Sequence, residues 1–244
     1  MSFDKNIFIN CPFDYDYYSL LRPLLFTVIY LGFNPKIALE RSDSGETRLS
    51  KIFELIAHSK YSIHDLSRMK PSQNKQLSRH NMPFELGLDI GCRMFSKDLL
   101  KDKRCLILEK EKYRYMKALS DISGCDIKDH DNEPIKIVQQ VRNWFVETVG
   151  VRKAPSPSTI WYAFTDFASD FYDKRISEGF NDDDLNMMPI PEYIDFIKEW
   201  CILNRYNLSL EELAVSSKKV TTLANNVFAQ EERQVLAAFT GIKS

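Results

Sequence analysis

Residues 6–32 read NIFINCPFDYDYYSLLRPLLFTVIYLG, a β-type run that passes within a few residues into a helix-type run. NIFINC (6–11) is a short apolar run of β type, while YDYYSLLRPLLFTVIYLG (15–32) is helical in character and ends on Gly32, a favoured C-cap residue. A strand passing directly into a helix is the opening of a βαβ unit, and the alternation repeats outward to about residue 150. NPKIALE (34–40) and YSIHDL (61–66) read as the second and third strands. Between them GETRLSKIFELIAHS (45–59) places Leu49, Ile52, Phe53 and Ile56 at amphipathic helical spacing. A polar loop, 67–80, leads to a helix opened by Met82 and Pro83. RCLILE (104–109) is a fourth strand, CDIKDH (125–130) a weaker fifth, and EPIKIVQQVRNWFVETVG (133–150) a helix with Ile137, Val141, Trp144 and Phe145 on one face. Five βα-like units predict an α/β fold: a flavodoxin-like (Rossmann-like), doubly wound parallel sheet of about five strands.

Beyond the sheet, VRKAPSPST (151–159) concentrates proline, serine and charge and reads as a linker between residues 1–150 and a helical domain over 155–244. That second part holds three helix-type runs, IWYAFTDFASDFYDKRI, PEYIDFIKEWCIL and NVFAQEERQVLAAF. Trp161, Tyr162, Phe164, Phe167, Phe171 and Tyr172 crowd the first of them, with no basic residues interleaved, so packing explains them better than base stacking. Lys plus Arg at 33 against Asp plus Glu at 34 gives a net charge of −1, which excludes a global attraction for nucleic acid or an anionic membrane. The longest apolar run is broken by Arg22 and Pro23, and MSFDKN lacks the start of a signal peptide, so a cytoplasmic protein is expected. The five cysteines are scattered, without C-x-x-C pairs or histidines at zinc spacing, and read as reduced thiols with no metal site.

In an open parallel sheet ligands bind beyond the carboxyl ends of the strands. The residues placed there are Asn10, Cys11, Phe13 and Asp14 after the first strand, then Glu40, Ser42 and Asp43 after the second. Asp65, Ser67 and Arg68 follow the third, and the loop beyond them leads to Asn81 and Glu85. Hydroxyls, amides and carboxylates gathered at one rim suit a ribose, with Phe13 available to stack on a base. Neither the G-x-G-x-x-G dinucleotide fingerprint nor a phosphate-binding loop is present, which argues against conventional hydride transfer and P-loop phosphoryl transfer. Plainer roles stand beside these. Glu85 as third helical residue would cap its own helix, Asp65 would form a turn, and Asp14, Ser42 and Asp43 would be N-caps. Cys11 and His64 would be buried core groups, and Arg68, Arg79 and His80 a solvated loop. In RHNMPFELGLDIG (79–91) helical spacing puts Glu85, Asp89 and Arg93 on one narrow stripe of an otherwise apolar helix expected to be buried on most sides.

IFINCPFDYDY resembles the strand and Pro-Phe loop that open nucleoside 2-deoxyribosyltransferases, and YSIHDLSR with NMPFELGLDIG is similar to their aspartate-bearing strand and E-L-G helix. The F-E-L-G-x-x-x-G pattern also resembles the catalytic helix of bacterial TIR-like nucleotide-binding domains, and the resemblance covers roughly residues 5–110. It implies cleavage of the N-glycosidic bond to a ribose, with Glu85 catalytic, NAD or a related nucleotide as substrate, and no cofactor. The transferases carry an Asp-Ser-Gly-Thr-type run where RHNMP stands here, which favours a nucleotide other than a deoxyribonucleoside. By the same resemblance the protein would be a toxic effector of antiphage defence, held silent by a regulatory partner protein or by homo-oligomeric assembly through 155–244. The rival expectation is a sensor whose rim holds a nucleotide intact while the helical part signals to a partner.

Overall fold

The computed structural model describes residues 3–68, 80–117 and 119–204. Five parallel strands form one sheet: β1 (Asn6–Asn10), β2 (Asn34–Ile37), β3 (Tyr61–Asp65), β4 (Arg104–Glu109) and β5 (Lys128–Asp129), in the order β2-β1-β3-β4-β5. This is the flavodoxin-like order, with its topological switch between β1 and β3. The helices are α1 (Tyr18–Tyr30), α2 (Arg48–Ala57), α3 (Asn81–Phe95) and α4 (Pro134–Trp144), the last continued by a π turn, Phe145–Val149. Helix α1 packs with α4, and α2 with α3. Phe8 of β1 meets Ile52, Leu55 and Ile56 of α2, so its neighbours Ile7 and Ile9 point to the opposite side of the sheet.

Every residue of β1 and β3 is buried, as both faces of a doubly wound sheet require. An asparagine stands at each end of β1. Asn6 Nδ2 donates to the carbonyl of His58 at 2.9 Å, and Asn10 Nδ2 to the carbonyl of Met82 at 2.9 Å. The second strand is shorter than its sequence suggests: Glu40 turns back so that its Oε1 accepts from the Ile37 amide at 3.1 Å, curling 38–40 into a 3-10 turn. Helix α1 stops at Gly32, whose φ of +86° is the left-handed conformation that glycine adopts without strain.

The β4–β5 connection departs from the usual pattern. Among its described residues there is no α-helix, only the 3-10 turns Arg114–Lys117 and Ser120–Ile122. Tyr115, Leu119 and Ile122 from this connection join Leu66, Met82, Leu86 and Ile107 in a core cluster over that side of the sheet.

Residues 151–156 are non-helical, as the proline and serine content anticipates, and Ser156 Oγ caps α5 (Pro157–Ser177) by accepting from the Thr159 amide at 3.1 Å. The chain beyond this stretch packs back on the sheet layer. Phe26 of α1 lies 5.6 Å from Phe164 and 5.5 Å from Phe167, ring centre to ring centre, and Phe167 and Phe171 are buried, so these rings of α5 are core packing, whereas Tyr162 and Tyr172 are exposed. A short helix, α6 (Asp182–Asn186), and a further helical stretch from 190 follow. The compact unit that holds the sheet is Met1–Lys198, which takes in α5 and α6, and the second unit is Glu199–Ser244, of which 199–204 are described and helical. The helix expected at NVFAQEERQVLAAF lies outside the described residues. Among those described, no helix is long and apolar enough to cross a membrane.

Candidate functional site

Helix α3 inverts the expected relation between polarity and burial. Phe84, Met94 and Phe95 are exposed, while Glu85 and Asp89 are 4% and 3% accessible, so the acidic stripe is the one turned to the sheet. Buried carboxylates need partners, and each finds a different set. Because α3 begins at Asn81, Glu85 is its fifth residue and not its third, and the capping role is not the one it plays. Its Oε1 instead lies 3.3 Å from Nη2 of Arg48, in the first turn of α2. Burial pushes the Glu85 carboxyl above the ordinary carboxylate range, with Arg48 and His64 pulling the other way. A helix N-terminus alone therefore does not set its charge.

Asp89 is held far more firmly. Ser62 Oγ donates to its Oδ2 at 2.5 Å, His64 Nε2 lies 3.1 Å from the same oxygen, and Lys103 Nζ lies 3.1 Å from Oδ1. Burial alone would raise this carboxyl, but His64, Lys103 and Ser62 outweigh it and hold the pKa at about 2. Lys103, itself buried, also donates to the carbonyls of Ile56 at 2.8 Å and of Ser59. On the other edge of the His64 ring, Nδ1 sits 3.0 Å from Asn10 Nδ2. The Asn10 amide already donates to Met82, so Nδ1 accepts and the ring proton lies on Nε2, toward Asp89. Asn10 and His64 are cross-strand partners at the β1/β3 switch point.

A second buried group sits at the carboxyl end of the same strand, β3, next to His64. Asp65 is fully buried: its Oδ1 accepts from the Ser67 amide at 2.8 Å, closing the turn after β3, and its Oδ2 accepts from Tyr17 Oη at 2.5 Å and lies 3.1 Å from His130 Nε2. Burial favours protonation of Asp65, but His130, Ser67 and Tyr17 overcome it and keep the carboxyl below its ordinary range. Cys11 lies near both Asp65 and Glu85; burial and the two carboxylates push its thiol well above the ordinary range, so it is an inert core thiol and not a nucleophile.

The cavity at Glu85 has a volume of about 230 Å³ and is lined by Arg48, Leu49, Ile52, Asn81, Phe84 and Glu85. Of the rim residues expected from sequence, Glu85 and Asn81 line it, and Phe13 stands beside it with its ring 5.9 Å from the Arg48 guanidinium. Asn10, Cys11 and Asp65 lie in the buried layer behind. Ser67 is buried too, its main chain engaged by Asp65 and by Arg114 at 3.0 Å, and Arg68 is partly exposed. Glu40, Ser42, Asp43 and Asp14 do not line the cavity. Glu40 is turned to Ile37 and Lys36, Asp43 Oδ1 accepts from the Gly45 amide at 2.8 Å, Ser42 is exposed, and Asp14 flanks a 3-10 turn that its side chain does not cap. No protein atom lies within 4 Å of where a Gly87 side chain would begin, so no neighbouring backbone approaches the helix there. Arg79 lies outside the described residues.

No family model, curated protein or solved structure matches this chain. The fold assignment therefore stands on the observed strand order. Among the described residues no group of three or more His, Cys, Asp or Glu is arranged to hold a metal ion.

Sequence reasoning missed Arg48, Tyr17, Lys103 and His130. For His130 the signal was present, because the rule that picked Asn10 and Asp65 as strand-end residues applies equally to the end of β5. For Arg48 and Lys103 there was none, since their partners lie 37 and 14 positions away and only the folded chain brings them together.

Proposed function

We propose that the protein is an N-glycosidase that cleaves the ribose–base bond of NAD or a related nucleotide, with Glu85 as the catalytic carboxylate. The observation that carries this reading is a carboxylate 4% accessible, turned to the carboxyl edge of the β1/β3 switch and forming the wall of a small cavity. A cavity of about 230 Å³ matches one pentose or one base and not a whole dinucleotide, so only the reacting part of the substrate would be enclosed. In the reaction the C1′–N bond breaks, the bonding pair leaves with the base, and the positive charge left on the sugar is met by Glu85 before water or another acceptor adds at C1′. That role needs an ionised carboxylate, which Arg48 supports, and shelter from water, to which the buried Ile52 contributes while Leu49 and Phe84 stay open to solvent. Asn10 and His64 hold α3 to the sheet through Met82 and Asp89, fixing the height of Glu85 above the strand ends.

The motif resemblance over residues 5–110 points the same way, and extends the reading to a toxic effector under the control of a partner or of self-assembly. The test is chromatography of NAD, ATP, nucleosides and deoxynucleosides after incubation with wild-type protein and with Glu85→Gln, whose melting temperature should stay near that of the wild type. Base release by the wild type and none by the variant supports the assignment. Equal release by both overturns it, and a nucleotide that raises the melting temperature yet is recovered intact moves the reading to a sensor.

A further inference from the structure

A second cavity lies away from Glu85, where the described residues of the β4–β5 connection form no α-helix. Its volume is about 590 Å³, within the range of sites that enclose a small organic molecule (~300–1,000 Å³). Ile90 of α3, Cys105 and Ile107 of β4 and Trp144 of α4 give it an apolar lining. Five cations (Arg93, Lys101, Lys103, Arg104, Lys128) and three carboxylates (Asp89, Asp126, Glu147) complete the wall. The carboxylates are taken: Asp89 pairs with Lys103 at 3.1 Å, and Lys128 lies 3.2 Å from Asp126 and 3.9 Å from Glu147. Arg104 spends its guanidinium on the carbonyls of Asp102 and Lys103, at 2.9 and 3.0 Å. Among the described residues Arg93 and Lys101 form no ion pair, and both are exposed, so the cavity carries a surplus of positive charge with two cations uncommitted.

We propose that this cavity is a second ligand site, for a small organic anion with an aromatic or aliphatic body. Its body would lie against Ile90, Cys105, Ile107 and Trp144, and its carboxylate, phosphate or sulfonate would be held by Arg93 and Lys101. The apolar part explains why a solvated inorganic ion would gain little there, and the charge surplus explains why a neutral hydrocarbon would be a poorer occupant than an anion. The site shares Asp89 with the buried chain that positions α3, so an occupant would touch the same helix that carries Glu85 from its other end.

The probe is 8-anilinonaphthalene-1-sulfonate, titrated into the full-length protein by fluorescence and calorimetry, with N-ethylmaleimide labelling of individual cysteines followed by mass spectrometry. Cys105 and Cys125 line the cavity, and Cys125 is exposed and so serves as the local reporter. One probe per chain, slowed labelling of Cys125, and at least tenfold weaker binding by the double variant Arg93→Glu, Lys101→Glu are expected. Both substitutions are at exposed positions, so the fold should survive them. Thr148→Trp, exposed at the mouth, should weaken the probe without changing charge. Probe binding that leaves Cys125 labelling unchanged, or that ignores both variants, overturns the proposal. So does protection of Cys125 that needs no probe and grows with protein concentration, since a second copy of the chain would then cover this face. Glu85→Gln should bind the probe as the wild type does, so this site stands or falls apart from the glycosidase reading.

Discussion

Replacing Asp89 by Asn removes one buried charge while keeping the shape of the side chain, and the outcome has a pH signature. In the folded chain the Asp89 carboxyl has a pKa of about 2, against an ordinary value of 3.8. At about 1.4 kcal/mol per pH unit, that gap contributes about 2 kcal/mol of stability. Because the folded value is the lower one, the contribution is complete above pH 3.8 and is lost as pH falls toward 2. At neutral pH Asp89→Asn should cost about 3–5 kcal/mol, since Lys103 is left buried without its counter-charge. The gap between wild type and variant should then narrow by about 1 kcal/mol between pH 7 and pH 3, and further below that. Urea unfolding of both proteins at pH 7, 5 and 3 measures this, and taking the difference cancels every carboxylate the two share. The groups facing Asp89 are Ser62 and His64 from β3 and Lys103 ahead of β4, all unchanged in the variant. A gap that stays constant over this range would show that Asp89 titrates normally and that the buried network is not held by charge.

Arg48→Ala should move the acidic limb of the pH–activity profile upward by less than about one pH unit. Loss of the guanidinium leaves His64 alone to oppose burial and makes Glu85 easier to protonate, while the half-exposed position of Arg48 limits the size of the effect. An unmoved limb would mean that the two groups do not interact during turnover. Phe26→Ala should destabilise the protein by about 3–5 kcal/mol, because this fully buried ring contacts Tyr30, Phe164 and Phe167. The same variant should expose the 151–156 stretch to limited proteolysis, and resistance equal to wild type would place the anchorage of α5 elsewhere.

The alternation of β-type and helix-type runs made the sheet legible, because a parallel sheet buried on both faces writes each central strand as an unbroken apolar run, as in Ile7, Phe8 and Ile9. Strand ends were less legible. Residues 38–40 carry a strand-like sequence, yet a single carboxylate, Glu40, bends them into a turn. At the site Glu85 was marked by its isolation among apolar neighbours, but the face it occupies was not: helical spacing says which residues share a stripe and nothing about which stripe meets the sheet. Asp65 could be placed at the end of β3, whereas its partners Tyr17 and His130 come from segments 48 residues before it and 65 after it. Periodicity cannot report pairings of that kind.

The two asparagines that bracket β1 bear on how the chain avoids misfolding. A central strand flanked by neighbours on both edges and covered on both faces has no polar side to distinguish one alignment from the next, so hydrophobicity would tolerate a slip. Sliding β1 by one position would carry the Asn6 amide away from His58 and the Asn10 amide away from Met82 at once. Each stranded amide would cost about 1–3 kcal/mol, a penalty comparable with much of a domain's net stability when both are counted. The asparagines thus act as a two-point gauge, rejecting misaligned sheets that the apolar residues between them would accept.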